Sequence, residues 1–286
     1  MTQPFTTKSF WKKVLEWYVY GSFHIAIVTG FYTAFCYQIT QSTFDWPYII
    51  FVSLGTHVIY SFHKIIALDR IKVFRSERYS LIIKYHRHIL IYISFSLVGM
   101  MVSTLKLSFD QIFLIVLPGL GSLLYVLPIF KNKKRLRDLP YLKVFLIAII
   151  YSFLTVFIPT YEVFGIHQQL LFFLASNFFI LAITLPFDIR DVEIDHADGV
   201  KTIATYLGKD KTILLSLAFL ILACVTFSFA GFSTIPNWKI PLMTYWLVGI
   251  IAFFSIIKCK NQEDLYYSLW MDGLLAIPTL LIMLMN

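Results

Sequence analysis

The chain has 286 residues, of which 58% are hydrophobic and only 14% charged, with a mean hydropathy of +0.75 and a formal net charge of +8. That balance excludes an ordinary soluble globular domain and reads as a membrane protein. The positive charge does not point to nucleic acid, since such a surface needs basic residues on one face of a soluble module with aromatics between them.

Apolar runs long enough to cross a bilayer as helices are predicted at 18–39, 47–68, 87–105, 109–130, 142–164, 168–187, 211–234, 241–258 and 268–285. Pro118, Gly119, Gly121, Pro128, Pro159 and Pro278 interrupt them, which membrane helices tolerate where neighbours satisfy the freed backbone groups. The expected fold class is an all-α integral membrane protein of nine transmembrane helices, one membrane domain over 1–286. Lys8, Lys12 and Lys13 precede the first span and no small-residue cleavage site follows it, so that helix is expected to stay. Cys36, Cys224 and Cys259 stand singly in or beside apolar segments, without the paired spacing of a zinc site or a disulfide framework.

Lys and Arg between the spans set the expected orientation. Of the 24, only Lys106 and Lys239 fall on one face; the others share the opposite face with the N-terminus. The expectation is an inner-membrane protein with its N-terminus cytoplasmic and its C-terminus outside. The second-to-third and sixth-to-seventh connections are the long ones, both on the basic face.

The stretch from Leu185 to Gly208, LPFDIRDVEIDHADGVKTIATYLG, carries the clearest chemistry. On a helix Asp188, Asp191 and Asp195 fall within an arc of roughly 60°, Asp198 lies a turn later, and Glu193 points the other way. Converging carboxylates on an apolar chain are costly unless a cation sits between them, and hard oxygen ligands suit Mg²⁺. The plainer reading is a solvated helix end beside a loop. Against it stand the apolar run and Pro186 before the acids, and Gly199, Lys201, Thr202 and Gly208 after them.

This order, D-x-x-D-x-x-x-D followed by G-x-K-T and a later L-G, resembles the second aspartate-rich motif of the UbiA-type intramembrane prenyltransferases. The resemblance implies helices around a central cavity, an isoprenyl diphosphate held through Mg²⁺ by Asp188, Asp191 and Asp195, and transfer of the prenyl group to a hydrophobic or aromatic acceptor within the lipid bilayer. The family's second helix carries N-D-x-x-D-x-x-x-D. If Ser61 stands where the Asn does, Phe62 and Ile65 replace the first two acids, and Asp69 alone matches, as a further metal ligand. His57, Ser61 and Lys64 form instead a polar stripe on that helix. Lys64 either snorkels to the interface or, with His57 and Ser61, meets the diphosphate directly.

A third segment, Leu124 to Arg135, resembles the family's Y-S-x-P-P-x-R-L-K loop, with Tyr125, Pro128, Lys131 and Lys133 matching in order. This implies that Tyr125 and Lys131, with Lys201, contact diphosphate; Lys134, Arg135 and Arg137 read as an ordinary positive-inside cluster. Arg70, Lys72, Arg75 and Arg78 follow the altered first motif two residues out of register. Glu77, Asp138, Asp272 and His196 read as structural, and His24 and His167 have no evident partner. Rival functions are a terpene cyclase without acceptor, a non-catalytic isoprenoid-binding homologue and a transporter; the last is disfavoured because the charges gather at one face.

Overall fold

A computed structural model describes residues 10–68, 77–129, 135–197, 199–231, 235 and 237–285, and every regular element among them is helical. The chain runs α1 (Phe10–Tyr20), α2 (Phe23–Thr40), α3 (Trp46–Leu68), α4 (Glu77–Thr104), α5 (Phe109–Val126), a 3₁₀ turn (Leu136–Asp138) and α6 (Leu142–Thr160). There follow α7 (Ile166–Ala197), the short α8 (Ile203–Leu207), α9 (Lys209–Ala230), α10 (Lys239–Lys258), a π turn (Tyr266–Met271) and α11 (Ile277–Met285). Seven of these helices are long and apolar enough to cross a membrane, and the bent pair α1 and α2 makes an eighth if taken as one span. The chain is an integral membrane protein.

The expected first and ninth spans are both broken. α1 meets α2 at 61°, at Gly21 and Ser22; Ser22 has φ 67°, and a Cβ on Gly21 would lie 2.6 Å from the Trp17 carbonyl. The run 268–285 is split by turns at 274–276 into the π turn and α11. Pro278 explains the split, because its ring excludes a helical carbonyl four residues back, at Leu274. Pro159 acts likewise on Thr155, and α6 loosens into a π turn at Phe153–Phe157.

Each loosened turn is re-satisfied from a neighbouring helix, as a membrane interior requires. Tyr48 Oη donates to Leu154 O at 2.6 Å and Cys36 Sγ to Thr155 O at 3.2 Å. His24 Nε2 lies 2.8 Å from Leu269 O in the second π turn, which gives that histidine the partner the sequence did not reveal.

α7 is the axis of the bundle. In its most apolar stretch 61% of residues are buried inside the protein, against 11% for α5, which faces outward. α9 and α6 flank α7. Close approach of α9 and α10 depends on Gly249, where a Cβ would come within 2.7 Å of Cys224 Sγ. Above this seam Phe227 and Tyr245 stack at 3.8 Å with Phe35, Phe172 and Trp238 around them. A narrow cavity lined by Tyr32, Phe35, Phe172, Phe227 and Tyr245 opens within this aromatic cluster.

Candidate functional site

α7 continues unbroken through Pro186, so the acids stand on a helix, as their spacing predicts. Asp188 is buried, and Lys143 Nζ, from the first turn of α6, donates to its Oδ1 at 2.6 Å. Asp191 takes a two-pronged ion pair from Arg190, both contacts 2.9 Å, and the same guanidinium lies 3.7 Å from Asp264 Oδ1. Arg190 is sandwiched 5.1 Å from the Phe187 ring and 5.3 Å from the Tyr267 ring. Asp195 differs from both: its Oδ2 is buried with no hydrogen-bond partner. Glu193 is exposed, on the far side.

Opposite the acids stands a cation that sequence reasoning did not single out. Arg135 donates through its backbone and guanidinium to Asp138, at 2.9 Å and 2.8 Å, closing the 3₁₀ turn on itself. Of the two residues between them, Arg137 is thereby turned into the bundle. Its guanidinium lies 5.2 Å over the Tyr125 ring and meets His63 Nε2 of α3. Burial opposes the charge on Arg137; Tyr125, Asp138 and Asp195 outweigh it, so its pKa lies above the ordinary guanidinium value. Lys143 in turn feels Asp188, Asp191 and Asp195 as well as Arg137. Asp272 interacts with Arg190 and Lys64, and Tyr60 with Asp272, Tyr125 and Arg137. One polar layer therefore joins α3, α5, α6, α7 and the segment before α11, at the end where the long basic connections lie.

Other expected site residues are placed differently. His57 Nε2 lies 3.0 Å from Gly21 O and its Nδ1 lies 3.0 Å from Ser96 Oγ of α4. Lys64 Nζ donates to Tyr20 O at 3.0 Å, Val19 O at 3.4 Å and Ser22 Oγ at 2.8 Å. In the structure both are engaged with the elbow: a helix that bends by 61° inside a membrane leaves carbonyls that need donors, and His57 and Lys64 supply them. Ser61 is buried, and its Oγ has no hydrogen-bond partner. The register of the altered first motif also shifts, since Phe62 is 37% exposed and His63 is the residue that turns inward to Arg137. Tyr125 stands in the polar layer. Lys201 is exposed on the loop after α7, its carbonyl accepting from Tyr141 N at 3.0 Å, so that loop is pinned to the start of α6. Asp69 and Lys131 lie outside the described residues, as do Asp198 and the side chains of Arg70, Lys72, Arg75 and Arg78.

Among the described residues no three His, Cys, Asp or Glu side chains close into a ready ligand cage. Mg²⁺ does not require one: it keeps several waters and is held by one or two carboxylates together with substrate phosphates. Asp195, with a buried carboxylate oxygen lacking a partner, fits that demand, and Asp191 one turn away would join it by sharing the carboxylate that Arg190 grips.

No protein-family model and no curated sequence matches the chain. Solved structures do. A UbiA homologue from Archaeoglobus fulgidus bound to GPP and Mg²⁺ is similar with a TM-score of 0.65 at 9% identity, over 93% of this chain and 97% of that one. An apo UbiA homologue from Aeropyrum pernix K1 gives 0.59 at 15% identity, over 92% and 98%. A digeranylgeranylglyceryl phosphate synthase gives 0.57 at 14%, over 96% of both chains. The likeness spans nearly the whole of each chain and shows that this one has the UbiA fold.

Proposed function

We propose that this chain is an intramembrane prenyltransferase, which takes an isoprenyl diphosphate at the polar layer and moves its prenyl group to a hydrophobic or aromatic acceptor. The observation that carries the reading is the end of α7. Three acids on one face, Asp188 buried and Asp191 and Asp195 half-buried, stand at a single end of an apolar bundle, opposed by Lys143 and Arg137, with one buried carboxylate oxygen of Asp195 left without a partner. A structural cluster would pair its buried charges completely. A homologue of the same fold binding GPP and Mg²⁺ supports the same reading.

Asp191 and Asp195 would hold Mg²⁺, with Asp188 beside them paired to Lys143. The bound ion supplies charge neutralisation of the diphosphate, which makes it a better leaving group. The chain's own residues do the rest. Lys143 and Arg137 offer N–H donors to phosphate oxygens, and the fork of Arg137 suits them geometrically. Tyr125 and Tyr60 flank the layer, and an electron-rich ring face stabilises a cation in a dry site by about 0.5–2 kcal/mol. The allylic carbon–oxygen bond breaks with its electron pair leaving on the diphosphate; the carbon then bonds to the acceptor, which gives up a proton. Deeper in the bundle the rings of Tyr32, Phe35, Phe172, Phe227 and Tyr245 are apolar, and the cavity among them is barely water-sized, so a prenyl tail reaching it would have to part them.

Lys201, exposed on the loop after α7 that is pinned to the start of α6, would approach the head group from the membrane surface, Lys131 and the basic residues after α3 would do so from the other connections, and Asp69 would reach it only through a metal ion. The N-terminus would be cytoplasmic by the basic face, with the C-terminus outside. Purified protein incubated with geranyl, farnesyl and geranylgeranyl diphosphates, with and without Mg²⁺ and an aromatic acceptor, tests the proposal through pyrophosphate release. Release that needs Mg²⁺ and rises with acceptor supports transfer; release without acceptor, giving a hydrocarbon product, assigns a cyclase. The absence of acids on α3 at Phe62 and Ile65 favours a second reading, a homologue that binds isoprenoid without chemistry. Bound diphosphate with no release under any condition would establish it.

A further inference from the structure

We propose that Arg137 and Lys143 stand as fixed cations in the place of a second metal ion, so that this chain takes an isoprenyl diphosphate with one divalent ion rather than two. The inference rests on the prenyl diphosphate reading above and deepens it. A second ion needs a second set of carboxylates facing α7; α3 carries no Asp or Glu from Trp46 to Leu68, and Asp69, which follows it outside the described residues, would supply one carboxylate and not a set. Phe62, the position matching an acid, is 37% exposed on the outer side. What faces inward there is His63, and against it lies the guanidinium of Arg137. A positive charge therefore already occupies the space that a metal on α3 would fill.

That charge is held from several directions. The ring of Tyr125 lies 5.2 Å beneath it, and the Arg135–Asp138 pair fixes the turn that carries it. It also acts on Asp195 across the layer. Lys143 stands on the other side of the same acids, 2.6 Å from Asp188 and interacting with Asp191 and Asp195. With Arg190 on Asp191, the three acids of α7 face three cations from the chain itself. One divalent ion then suffices beside a bound diphosphate, whereas acids on both helices would call for two. A guanidinium and an ammonium also present several donors to phosphate oxygens, and only one donor of Lys143 is engaged by Asp188 Oδ1.

The test counts ions rather than turnover. The full chain in detergent is titrated with Mn²⁺ and geranyl S-thiolodiphosphate, a non-ionising analogue, and bound Mn²⁺ is counted by electron paramagnetic resonance; analogue affinity is measured separately in EDTA. One Mn²⁺ per bound analogue is expected. Binding in EDTA should persist in the wild type, fall about tenfold or more in Arg137→Gln and in Lys143→Gln, as loss of a charge-assisted contact implies, and return largely in Arg137→Lys. Two Mn²⁺ per analogue in the wild type would overturn the inference while leaving the prenyl diphosphate reading intact. So would an EDTA affinity unchanged in a folded Arg137→Gln. No binding of the analogue in either condition would instead remove the underlying reading, and this inference with it. The wild-type ion count decides the matter even if a variant fails to fold.

Discussion

Two polar clusters lie inside this bundle, and they are built on opposite principles. At the elbow between α1 and α2 the charged and ring donors are used: Lys64 caps Val19, Tyr20 and Ser22, and His57 sits between Gly21 O and Ser96, with only the neutral Ser61 hydroxyl left over. At the end of α7 the pairing is incomplete. Asp188 and Asp191 have partners, Asp195 Oδ2 has none, and Arg137 leans on a histidine and a tyrosine ring. A satisfied cluster in a membrane answers a backbone problem. A cluster left short of a partner, where each unmet buried group is costly, is where a ligand belongs.

The sharpest way to break the contrast is at Asp188. Asp188→Ala strands the Lys143 ammonium in a buried site, and removing one partner of such a pair costs about 3–5 kcal/mol, read as a fall in unfolding temperature in detergent. The double change Asp188→Leu with Lys143→Met should recover most of that stability, since a buried pair replaced by apolar side chains is often neutral, while isoprenyl diphosphate affinity stays low. A double variant that still binds the diphosphate at wild-type strength would make this pair a structural strut. The matching experiment at the elbow is His57→Leu. It leaves Gly21 O without that donor and should cost about 1–3 kcal/mol; diphosphate affinity should be unchanged in the folded fraction. A loss of affinity there would merge the two clusters into one site.

Much of this was legible in the sequence, in a pattern that follows from the physics. Long apolar runs gave α3, α5, α6, α9 and α10 nearly at their observed bounds, because hydrocarbon thickness admits few alternatives, whereas α7 continues past its expected apolar end at 187 to Ala197. The acids of α7 were visible because carboxylates there break an apolar period. The elbow was hidden: nothing in Trp17 to Phe23 interrupts hydropathy, and only Gly21 and the polar stripe on the facing α3 hint that backbone groups need donors. The break near the C-terminus was hidden for the same reason, although Pro278 four residues after Leu274 was a usable signal. Arg137 and Lys143 were missed because a basic connection looks alike in sequence whether its side chains turn to water or into the bundle. Lys143 did carry a mark, since it stands at the start of α6, where the helix dipole disfavours a cation unless an acid compensates. Asp272, an acid within an apolar run, carried another, and it too joins the polar layer through Arg190.

The smallest expected change in stability is the most telling, because it separates a ligand site from a folding device. Asp195 keeps a buried carboxylate oxygen without a partner, an arrangement that works against the folded state. Asp195→Asn removes the charge while keeping the shape, so unfolding temperature should hold or rise, by an amount equivalent to about 1 kcal/mol or less. The gain in diphosphate affinity on adding Mg²⁺ should shrink markedly, since one of its two expected carboxylate ligands is gone. Binding in EDTA, which draws on Arg137 and Lys143, should change far less. Stability retained with the Mg²⁺ response lost is the pattern of a residue kept for its ligand. Stability lost with the Mg²⁺ response intact would place Asp195 with the elbow, among groups whose partners lie within the chain.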